Sequence, residues 1–127
     1  MKSILDQIAA VKADAKAALD EMLKTRKELD EFEEHNPYPA SAPLEKRCAY
    51  CTKRLAMSDK SKEATEKAKR KIIHFGELLG VNPVKFHRYE GETHIKETYY
   101  GLERYCEEME YQLKRVVETY NEYHHKN

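Results

Sequence analysis

The sequence predicts an all-α fold: an antiparallel three-helix bundle, coiled-coil-like, with long first and last helices. Three observations carry that expectation. Apolar residues recur at alternating steps of four and three along both arms of the chain, a pitch that gathers side chains onto one edge of a helix. Charged residues make up 36% of the chain and mean hydropathy is −0.91. Such high polarity with strict spacing suits extended helices rather than disorder. Short breaks near Pro37–Pro43 and Gly80–Gly91 leave three long segments of similar length, which favours antiparallel neighbours running up, down and up. The 127 residues suit one helical domain, 1–127.

The first helix is expected over about 3–35. Its stripe is Ile4, Ile8, Val11, Ala15, Ala18, Met22, Thr25, Leu29 and Phe32, widened by Leu5, Leu19 and Leu23. Thr25 is the one polar intruder. Ser3 reads as the N-cap, with Asp6 as an acidic first-turn residue. Pro37 and Pro39 end the helix, because Asn36 is pushed out of helical geometry by the proline after it. The loop NPYPASAP follows, and Ser41 with Pro43 reads as the next start.

The second helix is expected over 44–79. Leu44, Cys48, Cys51 and Leu55 share one face, and Ala64, Ala68, Ile72, Phe75 and Leu79 continue a stripe. Between them SDKSKEATEKAKRK is weakly apolar. Ser58 or Asp59 suits a new cap, so the segment reads as one bent helix or as two broken near 58. Gly80 is a natural C-cap. Val84–Glu90 alternates apolar and polar, but a lone strand has no partner, so an extended connector is expected. The last helix is expected over 93–124, capped by Thr93. Its stripe is Ile95, Tyr99, Leu102, Cys106, Met109, Leu113, Val116, Tyr120 and Tyr123.

Lys+Arg and Asp+Glu both number 23, so no overall charge drives nucleic-acid binding. Regional charge differs sharply. Residues 1–34 hold six basic and nine acidic side chains, 44–71 ten and four, and 72–127 seven and ten. One reading is internal: a hairpin places the acidic end of the first helix (Glu28, Asp30, Glu31, Glu33, Glu34) beside the basic start of the second. The other is a partner- or phosphate-binding face built from Lys46, Arg47, Lys53, Arg54, Lys67, Lys69, Arg70 and Lys71, extended by Lys60 and Lys62. Lys67, Lys69, Arg70 and Lys71 wrap part of the helix rather than lining one face.

RCAYCTKR contains Cys48-x-x-Cys51, the spacing of half a zinc site. Over about eight residues it resembles the knuckle of zinc ribbons and HNH-type zinc domains, with an aromatic before the second cysteine and a basic residue after it. Thr52 stands where that knuckle has glycine, and a second CxxC is absent. The bundle topology brings His35, Cys48, Cys51, His124 and His125 to one end, so the candidate ligands are Cys48, Cys51, His124 and His125. The competing reading is that both cysteines pack as small hydrophobes beside Leu44 and Leu55. Apart from zinc, no cofactor is expected. Three cysteines, an odd number, fit reduced thiols.

No GxSxG, HExxH or glycine-rich phosphate loop occurs, and a non-enzymatic role is expected. The first expectation is a helical interaction protein that binds a protein partner or self-associates along its seam. By analogy of style, not of residues, such chains are typical of mobile-element or phage accessory factors that inhibit or regulate a host defence complex. The alternative is a nucleic-acid-binding protein or nucleoprotein-complex subunit using the basic middle helix. No apolar run approaches the ~20 residues of a membrane span. The N-terminus has early acids and no apolar core, unlike a signal peptide. A cytoplasmic location without a membrane partner is therefore expected.

Overall fold

The computed structural model describes residues 3–81 and 84–125. Among them run three α-helices and no strand: α1 (Ile4–His35), α2 (Leu44–Leu78) and α3 (Glu92–His125). The fold class is the expected one, all-α with helices packed against one another as in a three-helix bundle.

Local chemistry sets the helix ends. Ser3 Oγ accepts the Asp6 backbone N–H at 3.1 Å, the N-cap arrangement. At the other end of α1, Asn36 donates both its backbone N–H and its side-chain Nδ2–H to the Phe32 carbonyl, and Pro37 allows no further turn. Pro43, rather than Ser41, starts α2 by offering its carbonyl to the N–H groups of Lys46 and Arg47. The helix runs unbroken through Ser58 and Asp59, so the segment is one helix. Gly80 ends it at φ +74°. Val81 N–H reaches Gly76 O at 3.1 Å and Gly80 N–H reaches Glu77 O at 3.0 Å, the paired bonds of a Schellman turn. The Val84–Glu90 connector closes in a turn where His87 N–H donates to Glu90 Oε2 at 2.8 Å. The third helix starts at Glu92, with Ile95 N–H bonded to Gly91 O. Thr93 therefore lies inside the first turn instead of capping it.

Two glycine substitutions should shift stability in opposite directions. Gly80→Ala forces a Cβ into the left-handed region and should lower unfolding free energy by about 1–2 kcal/mol. Gly101 lies within α3, and a Cβ there meets nothing within 4 Å. Gly101→Ala should add about 0.5–1 kcal/mol by removing glycine's backbone entropy. Urea midpoints of the two variants against wild type check both signs.

The chain forms two compact units, one of Ala13–Lys71 and one of the described residues of Met1–Lys12 and Ile72–Asn127. The first unit is an antiparallel hairpin of α1 on α2. Lys71 meets Asp14 at 4.0 Å near one end, and Arg54 meets Glu33 at 2.9 Å near the other. Tyr50 stacks on Phe32 with centroids 5.4 Å apart. Ala15, Ala18, Leu19, Met22 and Ala68 are buried between these ends. Four polar residues, Thr25, Ser61, Thr65 and Lys69, are buried with them. The hydroxyls are satisfied locally: Thr25 Oγ1 donates to Met22 O at 3.0 Å and Thr65 Oγ1 to Ser61 O at 2.8 Å. Arg26 Nε donates to Thr65 Oγ1 at 3.3 Å. That accounts for a threonine inside an apolar stripe.

In α2 the structure corrects the expected stripe. The face turned to α1 runs through Arg47, Tyr50 and Met57, which are half-buried, with the exposed Arg54 paired to Glu33. Burial is complete at Ser61, Thr65 and Ala68 and then at Ile72, Phe75 and Leu79. Leu44, Cys48, Cys51 and Leu55 are one residue out of phase with it, about 100° round the helix. Leu44 and Leu55 are accordingly 66% and 59% exposed, and both cysteines are exposed. The proposal that the cysteines pack as small hydrophobes beside these leucines is thus overturned.

The second unit buries Ile8, Ile72, Phe75, Leu79, Ile95, Tyr99, Leu102 and Cys106. Phe75 lies against Tyr99 with centroids 6.0 Å apart. The Tyr99 hydroxyl donates to Glu103 Oε2 at 3.0 Å, which satisfies its polar tip. Gly76 admits the connector: a Cβ there would stand 2.9 Å from Val84 Cγ2. Burial on α3 stops at Cys106. Met109 is half-buried, and Leu113, Val116, Tyr120 and Tyr123 are exposed, although their spacing continues the stripe without a slip. The expected stripe is thus covered by its own chain only as far as Cys106.

Candidate functional site

Two exposed apolar strips stand out. The longer lies on the C-terminal half of α3. Leu113 is 41% exposed, Val116 66%, Val117 56% and Tyr120 61%. They form a continuous band because they extend the 4/3 spacing of the buried Tyr99, Leu102 and Cys106. Val117 widens the band on one side. Tyr120 leans on His124, ring centroids 4.1 Å apart. Tyr111 lies off the band, under the Arg115 guanidinium at 6.0 Å. The shorter strip is Leu44, Cys48, Cys51 and Leu55 on α2. Sequence reasoning read the α3 stripe as a bundle or self-association seam and the α2 strip as packed residues or half a zinc site, because spacing alone does not say whether a neighbour is present. The available signal lay in α2, whose in-phase positions before Ser61 are mostly polar or charged.

The basic residues singled out from sequence scatter in role. Arg54 binds Glu33 through Nε at 3.0 Å and through a terminal nitrogen at 2.9 Å. Lys53 Nζ lies 5.2 Å from the Phe32 ring centroid, a cation–π distance. Lys71 reaches Asp14. Lys69 is buried, with Nζ 3.2 Å from Glu66 Oε1. Arg47 is half-buried and its Nε has no hydrogen-bond partner. Lys46, Lys60, Lys62, Lys67 and Arg70 are exposed. Part of the excess positive charge of residues 44–71 therefore answers the acidic first helix. The surface ion pairs are screened and worth about 0–1 kcal/mol each, so they set register more than stability.

The candidate zinc ligands are not assembled by the described residues. Cys48 and Cys51 sit one turn apart inside a helix rather than on a knuckle turn. His124 is exposed near the end of α3. The side chain of His125 lies outside the described residues. Among the described residues no three His, Cys, Asp or Glu side chains gather in a way that would hold a metal ion.

Cys106 differs from the other two thiols. Burial pushes its pKa up, and the neighbouring Glu110 carboxylate, which accepts the Sγ–H at 3.5 Å, adds to the rise. Only a thiolate attacks disulfide reagents, so Cys106 is doubly protected. A thiol titration at pH 8 should show two equivalents reacting promptly and the third only on unfolding. Three prompt equivalents would contradict the burial of Cys106. Its raised pKa also sets a sign. The folded state holds the proton more tightly, so this group's contribution is intact below the unfolded thiol pKa. It is lost as pH rises through the folded value.

These features define a class and no more: an all-α helical-bundle protein with apolar strips exposed on two of its helices. No family model, curated protein or solved structure matches the chain. No helix among the described residues is long and apolar enough to cross a membrane.

Proposed function

We infer that this is a non-enzymatic interaction protein that offers an exposed helical strip to a protein partner. One observation supports the reading above the rest: Leu113, Val116, Val117 and Tyr120 are 41–66% exposed on one continuous side of α3. Scattered exposed leucines are ordinary, but an aligned apolar band is how proteins mark contact sites. Amphipathic helices dock through such spaced anchors, and aromatic residues contribute most of the energy at the centre. Inhibition or regulation of a larger complex is the role this mode of binding suits.

The test is capture from native cells at physiological salt, with wild type compared with the double variant Val116→Glu/Tyr120→Glu. A protein held by wild type and lost from the variant is expected. An identical set from both, or none from either, overturns the reading. The nucleic-acid reading draws on the exposed Lys46, Lys60, Lys62, Lys67 and Arg70. It requires affinity for single- or double-stranded probes that falls steeply with salt and disappears in Lys67→Glu/Arg70→Glu. Under the interaction reading, probe binding at physiological salt is absent and the charge reversal changes nothing.

A further inference from the structure

We propose that the strip on the C-terminal half of α3 is covered by the same strip of a second copy of this chain, giving a helix-on-helix homodimer. This rests on the reading of the strip as an interaction surface and names its occupant.

The argument starts from phase. Ile95, Tyr99, Leu102 and Cys106 are the core positions of a heptad pattern, and all are buried within the chain. Met109, Leu113, Val116 and Tyr120 occupy the next core positions at the same 4/3 steps. One continuous seam is thus covered by its own chain over the first half of α3 and bare over the second. The bare part is a seam in the coiled-coil sense, a row of knobs and holes that a second helix fills.

What flanks the seam selects the partner. In a coiled coil, charged residues on either side of the core row choose the mate and repel wrong ones. Here those positions are Gln112 and Thr119 on one side, and Glu110, Val117 and His124 on the other. Glu110 is the single carboxylate among them, and one of its oxygens accepts the Cys106 thiol at 3.5 Å. The segment 107–125 carries five acidic and two basic residues, but Glu107, Glu108, Lys114, Arg115, Glu118 and Glu122 fall on its outer faces. Two copies therefore meet without a like-charge pair across the seam, in either orientation. A partner helix that carried charge beside its own core would find no counter-charge on these flanks apart from Glu110.

Size sets the strength. The bare seam is about 20 Å long at 1.5 Å per residue. Two such helices bury on the order of 1,000 Å² in total, the lower end for a specific interface. An interface of that size suits a reversible dimer rather than an obligate one.

Sedimentation of the full chain from about 1 to 200 μM tests this. The expected mass rises with concentration from the 15.0 kDa of one chain towards twice that value. The transition should persist at about 0.5 M salt, because the seam flanks are nearly uncharged. Val116→Glu/Tyr120→Glu should stay monomeric throughout while keeping the helical circular dichroism and melting temperature of dilute wild type. Leu55→Glu, on the other exposed strip, should dimerise like wild type. A wild type that is monomeric at every concentration overturns the proposal. So does a dimer that Leu55→Glu or salt dissociates. A monomeric wild type whose α3 strip still captures a different protein would remove self-pairing and leave the interaction reading standing.

Discussion

Phe75→Ala should be the most damaging single truncation in this chain, costing about 3–5 kcal/mol of unfolding free energy. Phe75 is fully buried and lies tilted against the Tyr99 ring, with Ile72, Leu79 and Ile95 also buried in the same unit. The loss has two parts: transfer of the ring out of water is forfeited, and a cavity remains where neighbours relax only partly. A domain of this kind has about 5–15 kcal/mol in total, so roughly a fifth or more of its stability is at stake. At roughly 3–5 °C per kcal/mol for this size, the melting temperature should fall by about 10–20 °C. Leu55→Ala is the control. Leu55 also sits on an apolar stripe in the sequence, but it is 59% exposed, and its truncation should stay within about 0.5 kcal/mol. A comparable loss at both positions would show that the α2 face is assigned wrongly.

Most of the fold was legible because helix ends and helix periods have local causes. Ser3, Pro37, Gly80 and the two apolar arms announce themselves within a few residues. Of its expected stripe α1 buries Ile8, Ala15, Ala18, Leu19, Met22 and Thr25, with Val11, Leu29 and Phe32 half-buried and Ile4 exposed. Two things were not legible. On α2, apolar residues marked the wrong face before Ser61. The face turned to α1 there carries Arg47, Arg54, Ser61 and Thr65, and two of these, Arg54 and Thr65, find partners far along the chain in Glu33 and Arg26. No local pattern reveals a compensated polar core. On α3, Leu113 and Val116 carry the same spacing as Ile95 and Leu102. Periodicity reports that a side of a helix is greasy; whether a neighbour covers it is a property of the rest of the molecule. The basic cluster illustrates the same limit. Lys69 and Arg70 are adjacent in sequence, yet one is buried beside Glu66 and the other faces water.

Amide hydrogen exchange should divide α3 in two near Cys106, with protection differing by about three orders of magnitude or more between the halves. Amides of residues 95–106 lie in a buried helix and exchange only through large-scale opening, which costs several kcal/mol. Amides of 113–124 belong to a helix whose side chains are all exposed. Without tertiary packing a segment this short is marginally helical in water, so it opens at a cost near zero. Every 1.4 kcal/mol of difference is tenfold in protection, which sets the size of the step. The same experiment at high protein concentration probes the seam. If a second copy covers Leu113, Val116 and Tyr120, protection of 113–124 climbs with concentration. That of residues 44–57, which carry the other exposed strip, does not change with concentration. Uniform protection along α3 in dilute solution would mean that the second half is covered within a single chain, and both the exposed band and the homodimer built on it would fall together.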